Sequence, residues 1–196
     1  MASTKIRWYI KPDHSEISFK VMHILLSNVK GVFKEFDANI ETREEDFTSA
    51  EIVFWINPNS LETGDTGRDE HLKSNEFFEV NRYKKITFVS DRFEKTSKEG
   101  CYNLWGYLTI KGITNHIKLD VTSKGVIHDE YGNDTAQFNI IGKISRKDWN
   151  LSWNDTTDKL GLMGSDEVTI SCSLELEKLD DEKFEYESNQ VMMDYN

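Results

Sequence analysis

The chain has 196 residues, which suits a single domain, and 37% of them are hydrophobic. Its formal net charge of −11 opposes binding to nucleic acid and tight docking on anionic lipid. At most a transient membrane contact is expected. The two cysteines are too few for a disulfide framework, and no segment approaches the roughly 20 apolar residues that span a bilayer.

The two ends of the chain differ from its middle. Residues 1–5 lack the apolar stretch of a signal peptide, which predicts a cytoplasmic protein, or a periplasmic one if a leader was removed. Residues 180–196 hold six acidic side chains and one lysine. We therefore predict a folded domain over residues 1–178 and an acidic, poorly ordered tail over 179–196.

Apolar and polar residues alternate with period two along most of the chain, the pattern of antiparallel strands with one wet face. In the segment around Ile17, Phe19 and Val21, for example, Ser18 and Lys20 take the opposite face. Strands of about ten residues favour a closed barrel over a sandwich. The predicted strands cover residues 6–10, 15–22, 28–42, 50–57, 85–95, 101–111, 114–124, 136–146 and 167–178.

Residues 57–81 interrupt the alternation. Asp65 or Thr66 could cap a short helix that runs through Lys73. A further short turn is predicted at 23–27. Functional groups concentrate in such irregular segments, so the polar residues of 57–81 are candidates for a site.

Gly31, Gly106 and Gly142 fall inside strands, at positions that the alternation assigns to the apolar face. One interpretation is a bulge or bend that closes the barrel. The other is that the missing side chains leave room for a ligand. The two interpretations are compatible.

The sequence offers little for catalysis. Asp13, His14 and Ser15 name the members of a hydrolase triad, but neighbours on a strand point to opposite faces and cannot converge. The five histidines lack zinc-site spacing, and there is no phosphate loop. We predict neither an enzyme nor a metal or other cofactor.

An ordered set of segments resembles the YceI family of polyisoprenoid-binding, lipocalin-like proteins, over roughly residues 6–178. These segments are 13–23, 27–33, 68–74, 77–78, 106–114, 146–149 and 166–170. The resemblance implies an all-β, eight-stranded antiparallel lipocalin-like β-barrel with short helical insertions. It also implies a tunnel for an isoprenoid or another long-chain lipid, and leaves a homodimer open. The family often has glycine where Asn150 stands.

The candidate ligand contacts are inward apolar residues and two polar residues at a tunnel mouth. An eight-stranded barrel can keep a cavity for one small ligand, and for each apolar residue core packing is the competing role. Arg68 suits an anionic head group through its planar donor fork, and His71 could donate beside it. Arg146 is a second choice. The apolar candidates are Phe19, Val21, Phe33, Phe54, Phe88, Leu108, Phe138, Ile140 and Ile170.

The barrel pattern together with the resemblance predicts binding, storage or transport of a polyisoprenoid or similar long-chain amphiphilic lipid in the barrel interior. The alternative is a barrel with a packed interior that serves as a protein-interaction or stress-response module. That alternative predicts no continuous cavity. Trp55, Trp105 or Tyr107 exposed on the outer face would favour it.

Overall fold

The computed structural model describes residues 5–23, 28–128, 132–151 and 164–179. Short 3₁₀ helices cover Pro12–His14, Pro58–Ser60 and Arg146–Trp149. The strands and the α-helix are β1 (Lys5–Ile10), β2 (Glu16–His23), β3 (Asn28–Phe33), β4 (Phe36–Arg43), β5 (Asp46–Ile56), β6 (Leu61–Glu62), α1 (Thr66–Lys73), β7 (Ile86–Lys95), β8 (Cys101–Ile110), β9 (Ile113–His128), β10 (Asp134–Ser145) and β11 (Gly164–Lys178).

The strands form one antiparallel sheet in the order β1-β4-β5-β7-β8-β9-β10-β11-β2-β3-β6, and a pairing of β1 with β11 closes it. β1 and β2 pair with successive parts of β11, so together they act as one interrupted strand. In the same way, β3 and β4 act as one interrupted strand beside β1 and β2, and β5 and β6 act as another beside β3 and β4. The result is the predicted closed, eight-stranded antiparallel barrel.

The predicted strand over 28–42 is wrong in one respect, because it breaks at Lys34 and Glu35. The Oγ of Ser60 accepts hydrogen bonds from the backbone N–H groups of both residues, at 3.1 and 3.0 Å. The adjacent ribbon is interrupted at the same level, by the 3₁₀ helix Pro58–Ser60. Because the two neighbouring strands are interrupted at the same level, the sheet bends there and forms a corner of the barrel.

The predicted helix is present as α1. Of the two candidate caps, Asp65 is the N-cap, since its side chain accepts a hydrogen bond from the backbone N–H of Arg68 at 2.9 Å. Leu72 is the buried residue of this helix. The predicted turn at 23–27 and the acidic tail lie outside the described residues, apart from the strand end at His23 and Leu179. No helix in the described ranges is long and apolar enough to cross a membrane.

The two ends of the barrel are built differently. At one end, which we call the aromatic end, the rings of Trp8, Phe47, Phe93 and Phe138 are all buried. Phe47 lies between Trp8 and Phe138, with ring centroids 4.9 and 4.7 Å away. The indole N–H of Trp8 donates to the Oγ1 of Thr42 at 3.0 Å.

The opposite end, which we call the α1 end, carries α1 and the 3₁₀ helix Arg146–Trp149. There β6 pairs only with β3 among the described strands, so the sheet has a gap between β6 and β7. Buried Leu72, Phe77 and Phe78 come from the chain that joins these two strands. Side chains, rather than a hydrogen-bonded ladder, therefore complete the wall at this end.

A cavity inside the barrel as the candidate binding site

A cavity of about 210 Å³ lies inside the barrel. Every strand except β1 and β6 contributes to its lining, which is apolar apart from Ser18, Thr87, Cys172 and two arginines. An apolar cavity of roughly 150 Å³ is already enough to stay dry and bind benzene. This space can therefore take an apolar group.

All nine apolar residues predicted from the alternation line this cavity. The structure thus brings together Phe19, Val21, Phe33, Phe54, Phe88, Leu108, Phe138, Ile140 and Ile170. The agreement concerns the face on which each side chain lies. Contact with a ligand stays a prediction for each of them.

Arg68 also lines the cavity, from α1. Its guanidinium donates to the Oγ1 and the carbonyl oxygen of Thr63, at 2.8 and 3.0 Å. Asp69 accepts hydrogen bonds from the same threonine rather than from Arg68. Within the described ranges, Arg68 forms no ion pair with a carboxylate. Its guanidinium therefore lines an apolar cavity with no carboxylate in direct contact, and the Oγ1 of Thr63 links it to Asp69.

Arg146, the second choice for a head group, lines the cavity and is buried. Its guanidinium donates to the carbonyl oxygen of Leu151 and lies 2.8 Å from a carboxylate oxygen of Asp166. Burial lowers the pKa of Arg146, and the charge of Asp166 opposes that shift. Because its charge is matched by Asp166, Arg146 suits an anionic ligand less well than Arg68 does.

His71 is not part of the cavity lining. Its Nδ1 lies 3.8 Å from a carboxylate oxygen of Glu76, and its side chain is largely buried. Of the two polar residues that were predicted to act together, Arg68 lines the cavity and His71 does not. Contact of either residue with a head group stays a prediction.

The space beside the three strand glycines is occupied. Phe19 covers Gly31, Phe88 covers Gly106, and Leu119 covers Gly142. The expectation that these glycines leave open room is thus wrong in its simple form, because neighbouring side chains fill that room. A register irregularity accompanies Gly106 alone of the three, between Ser90 and Arg92 on β7.

Several features were not found from the sequence. Cys172 lines the cavity, and burial raises the pKa of its thiol to about 12. Cys101 and Cys172 are both free thiols in the structure. Phe77 and Phe78 line the cavity from an irregular segment, where no alternation marks an inner face.

Ligand atoms of Glu45, His128 and Asp134 lie within 4.8 Å of one another near the aromatic end. Glu45 is far in sequence from His128 and Asp134, so no spacing rule could find the three together. The Nζ of Lys178 lies 2.8 Å from Asp134 and 3.5 Å from Glu45. Its ammonium supplies the cation of this group, which is therefore an ion-pair network.

Asn150 explains one departure from the YceI pattern. Its backbone is left-handed, with φ 54° and ψ 30°, at the end of the 3₁₀ helix Arg146–Trp149. Glycine adopts this conformation freely, and asparagine is among the side chains that tolerate it best. Asn150 therefore preserves the turn.

A closed antiparallel barrel around an apolar cavity defines a lipocalin-like fold. The model of the YceI-like domain matches residues 8–176, and the chain belongs to that family. A UPF0312 protein of Staphylococcus aureus (strain MSSA476) is 33% identical over 163 residues, 83% of this chain and 92% of that protein. One from Staphylococcus epidermidis is 34% identical over the same shares.

Solved structures show the same fold. The Campylobacter jejuni YceI protein superposes with a TM-score of 0.70 at 29% identity, covering 81% of this chain and 90% of that one. Burkholderia cenocepacia BcnA gives 0.72 at 23% identity, covering 85% and 98%. A polyisoprenoid-binding domain from Saccharophagus degradans gives 0.66 at 16% identity, covering 87% and 97%.

Proposed function

We propose that the barrel binds the apolar chain of a long amphiphile, with a polyisoprenoid as the leading ligand class. The observation that carries this proposal is the cavity of about 210 Å³, whose lining is almost entirely apolar. The polyisoprenoid-binding name of the Saccharophagus domain supports the choice of ligand class. Contacts come from the nine apolar residues predicted above.

Burial of the chain supplies the affinity. Each buried methylene contributes about 0.8 kcal/mol, so one five-carbon isoprene unit contributes about 4 kcal/mol. Association costs on the order of 4–15 kcal/mol in lost freedom. The cavity has room for roughly one to two units, whose burial supplies about 4–8 kcal/mol and offsets the lower part of that cost.

The head group lies at the α1 end, where Arg68 contacts it if it is anionic. A guanidinium binds phosphate or carboxylate through paired donors. Thr63 holds the guanidinium in place through two hydrogen bonds. Arg68 rather than His71 carries this proposal, because Arg68 is the one of the two that lines the cavity.

The protein acts as a carrier or store rather than as an enzyme, and it works in the cytoplasm with at most transient membrane contact. The cavity offers no pair of titratable groups for acid–base chemistry: among the described lining residues, only the arginines and Cys172 ionise. Cell fractionation tests the compartment.

Native mass spectrometry and organic extraction of the purified protein test the ligand. We expect one lipid per barrel, and competition with an added isoprenoid for a fluorescent apolar probe. A barrel that carries no lipid and binds neither the probe nor the isoprenoid would contradict the proposal.

A second candidate function, an interaction module, is favoured by one observation. Val53, Val89 and Tyr107 are cross-strand neighbours on the outer face, and their side chains are about half exposed. The cavity argues against the packed interior that this alternative requires. A homodimer through this row is compatible with a lipid carrier, and sedimentation of a Val89→Ser, Tyr107→Ser variant tests it.

A further inference from the structure

Three glycines lie behind the wall of the cavity. The lining contains Phe19, Phe88 and Leu119 but none of the glycines that these side chains cover. A Cβ added to any of the three glycines would lie less than 3.0 Å from the covering side chain, a separation that real Cβ atoms do not show. Each large side chain can therefore lie flat against the wall only because its neighbour is glycine.

The covering side chains have one direction in which to move. Protein interiors are close-packed, so a displaced ring or leucine moves into the nearest empty space. At Gly106 the added Cβ would also crowd the backbone carbonyl of Val89, so a side chain there would have to displace backbone as well as the Phe88 ring. The empty space beside Phe88 is the cavity itself.

The three pairs act from different sides of the cavity. Phe19 pairs with Gly31 on one side and with Ile170 on the other, and Ile170 pairs with Gly142. These residues form one row across β3, β2, β11 and β10. Phe88 and Gly106 belong to β7 and β8, on the far side of the sheet order. Loss of the glycines would narrow the cavity from both sides.

We propose that Gly31, Gly106 and Gly142 set the bore of the cavity and make it wide enough for methyl-branched chains. This inference rests on the proposed function, since it concerns the chains that the barrel admits. A branched isoprenoid has a larger cross-section than a straight alkyl chain. A narrower bore would therefore exclude the branched chain first.

The test compares an isoprenoid alcohol with a straight-chain alcohol of equal main-chain length, by displacement of a fluorescent apolar probe. Wild type binds both. Gly142→Ala weakens binding of the isoprenoid about tenfold, the usual effect of one misplaced methyl group, and binding of the straight chain much less. The quantity compared is the ratio of the affinity for the isoprenoid alcohol to the affinity for the straight-chain alcohol. The double variant Gly142→Ala, Leu119→Ala returns this ratio to the wild-type value.

Gly67→Ala in α1 is the matched control, because an added Cβ there meets only Asp65, at an ordinary 3.6 Å. It leaves the ratio unchanged. Circular dichroism and thermal unfolding report the fold of every variant, and if Gly142→Ala does not fold, the double variant and Gly31→Ala carry the test.

An unchanged ratio in folded Gly142→Ala or Gly31→Ala overturns the inference, as does a double variant whose ratio stays away from that of wild type. A wild-type barrel that binds neither alcohol overturns the proposed function instead. The two failures are therefore distinguishable.

Discussion

The aromatic end and the α1 end show two ways to finish a barrel. At the aromatic end, β1 closes the hydrogen-bonded ring with β11, and Trp8, Phe47 and Phe138 fill the interior. At the α1 end the hydrogen-bonded ring is incomplete between β6 and β7. Helix α1 and the two phenylalanines that follow it, Phe77 and Phe78, fill the gap. The first arrangement favours stability, whereas the second places a cation beside an apolar cavity.

The largest expected effect comes from breaking the aromatic end. Phe138→Ala removes a buried ring that contacts Phe47, and should lower the free energy of unfolding by about 4 kcal/mol. Phe78→Ala at the α1 end removes a ring of the same size from an irregular segment. Because that segment can relax locally, the loss there should be about half as large.

Urea unfolding of the two variants measures this difference. Lipid binding by the folded variants should weaken at both positions, because Phe138 and Phe78 both line the cavity. Equal losses of stability at the two positions would remove the distinction between the ends.

The next effect concerns the interior between the two ends. Burial raises the pKa of the Cys172 thiol to about 12 from an ordinary value of 9.0. The reactive thiolate is therefore about 1,000-fold rarer than in the unfolded chain at the same pH. In a Cys101→Ser variant, alkylation at pH 8 should be slower by about that factor in native protein than in guanidinium.

Bound lipid should slow the alkylation further, since Cys172 lines the cavity. An alkylation rate close to that of the unfolded chain would mean that water enters freely, which would contradict a dry interior.

The third prediction concerns the charge at the α1 end. Arg68→Ala should weaken binding of an isoprenoid phosphate about tenfold, the loss of roughly one charge-assisted hydrogen bond. Binding of the matching alcohol should not change. Arg92→Ala on the outer face is the control, because that side chain is exposed and lies over Trp105.

Calorimetric titration with the phosphate and with the alcohol separates the contribution of the head group from that of the apolar chain. If wild type binds both ligands equally and Arg68→Ala does not alter either affinity, Arg68 has no role in head-group binding.

The sequence alone predicted the inner face of the barrel and helix α1, but not how the α1 end is packed. Phe19, Phe88 and Ile170 could be placed because alternation along a strand is local. The break at Lys34 depends on Ser60, which lies on another ribbon, and no local pattern records it. Arg68 and His71 lie on the same short helix, and no local pattern shows which of them lines the cavity.

The glycines show most clearly why the rest could not be predicted. A glycine in a strand indicates missing volume at one position, but what fills that volume belongs to the neighbouring strand. Gly31 is covered by Phe19, which precedes it by one hairpin, and Gly142 by Leu119 on the other side of a longer connection. Register decides these partners, and register is known only once the barrel is closed.

The smallest expected effect concerns Glu175 on β11, which lies opposite the break between β1 and β2. Hydrogen bonds from Lys11, His14 and Gln137 lower the pKa of Glu175 to about 2 from an ordinary 4.5, and the bond from Lys11 contributes most. A carboxyl whose pKa is lower in the folded state stabilises the fold above pH 4.5, and this contribution is lost as the pH falls towards 2. Glu175→Gln should therefore cost about 1 kcal/mol at pH 7.

The difference in unfolding free energy between Glu175→Gln and wild type should shrink steadily between pH 4.5 and pH 2, because wild type loses the same carboxylate there. Glu167→Gln, at an exposed pair with Lys143 near the α1 end, is the control and should change little at any pH. Urea unfolding at several pH values measures both. A constant difference down to pH 2 would mean that the Glu175 side chain acts through its shape rather than its charge. The interruption would then depend on the backbone hydrogen bond from Lys11 to the carbonyl oxygen of Glu175, which the substitution leaves in place.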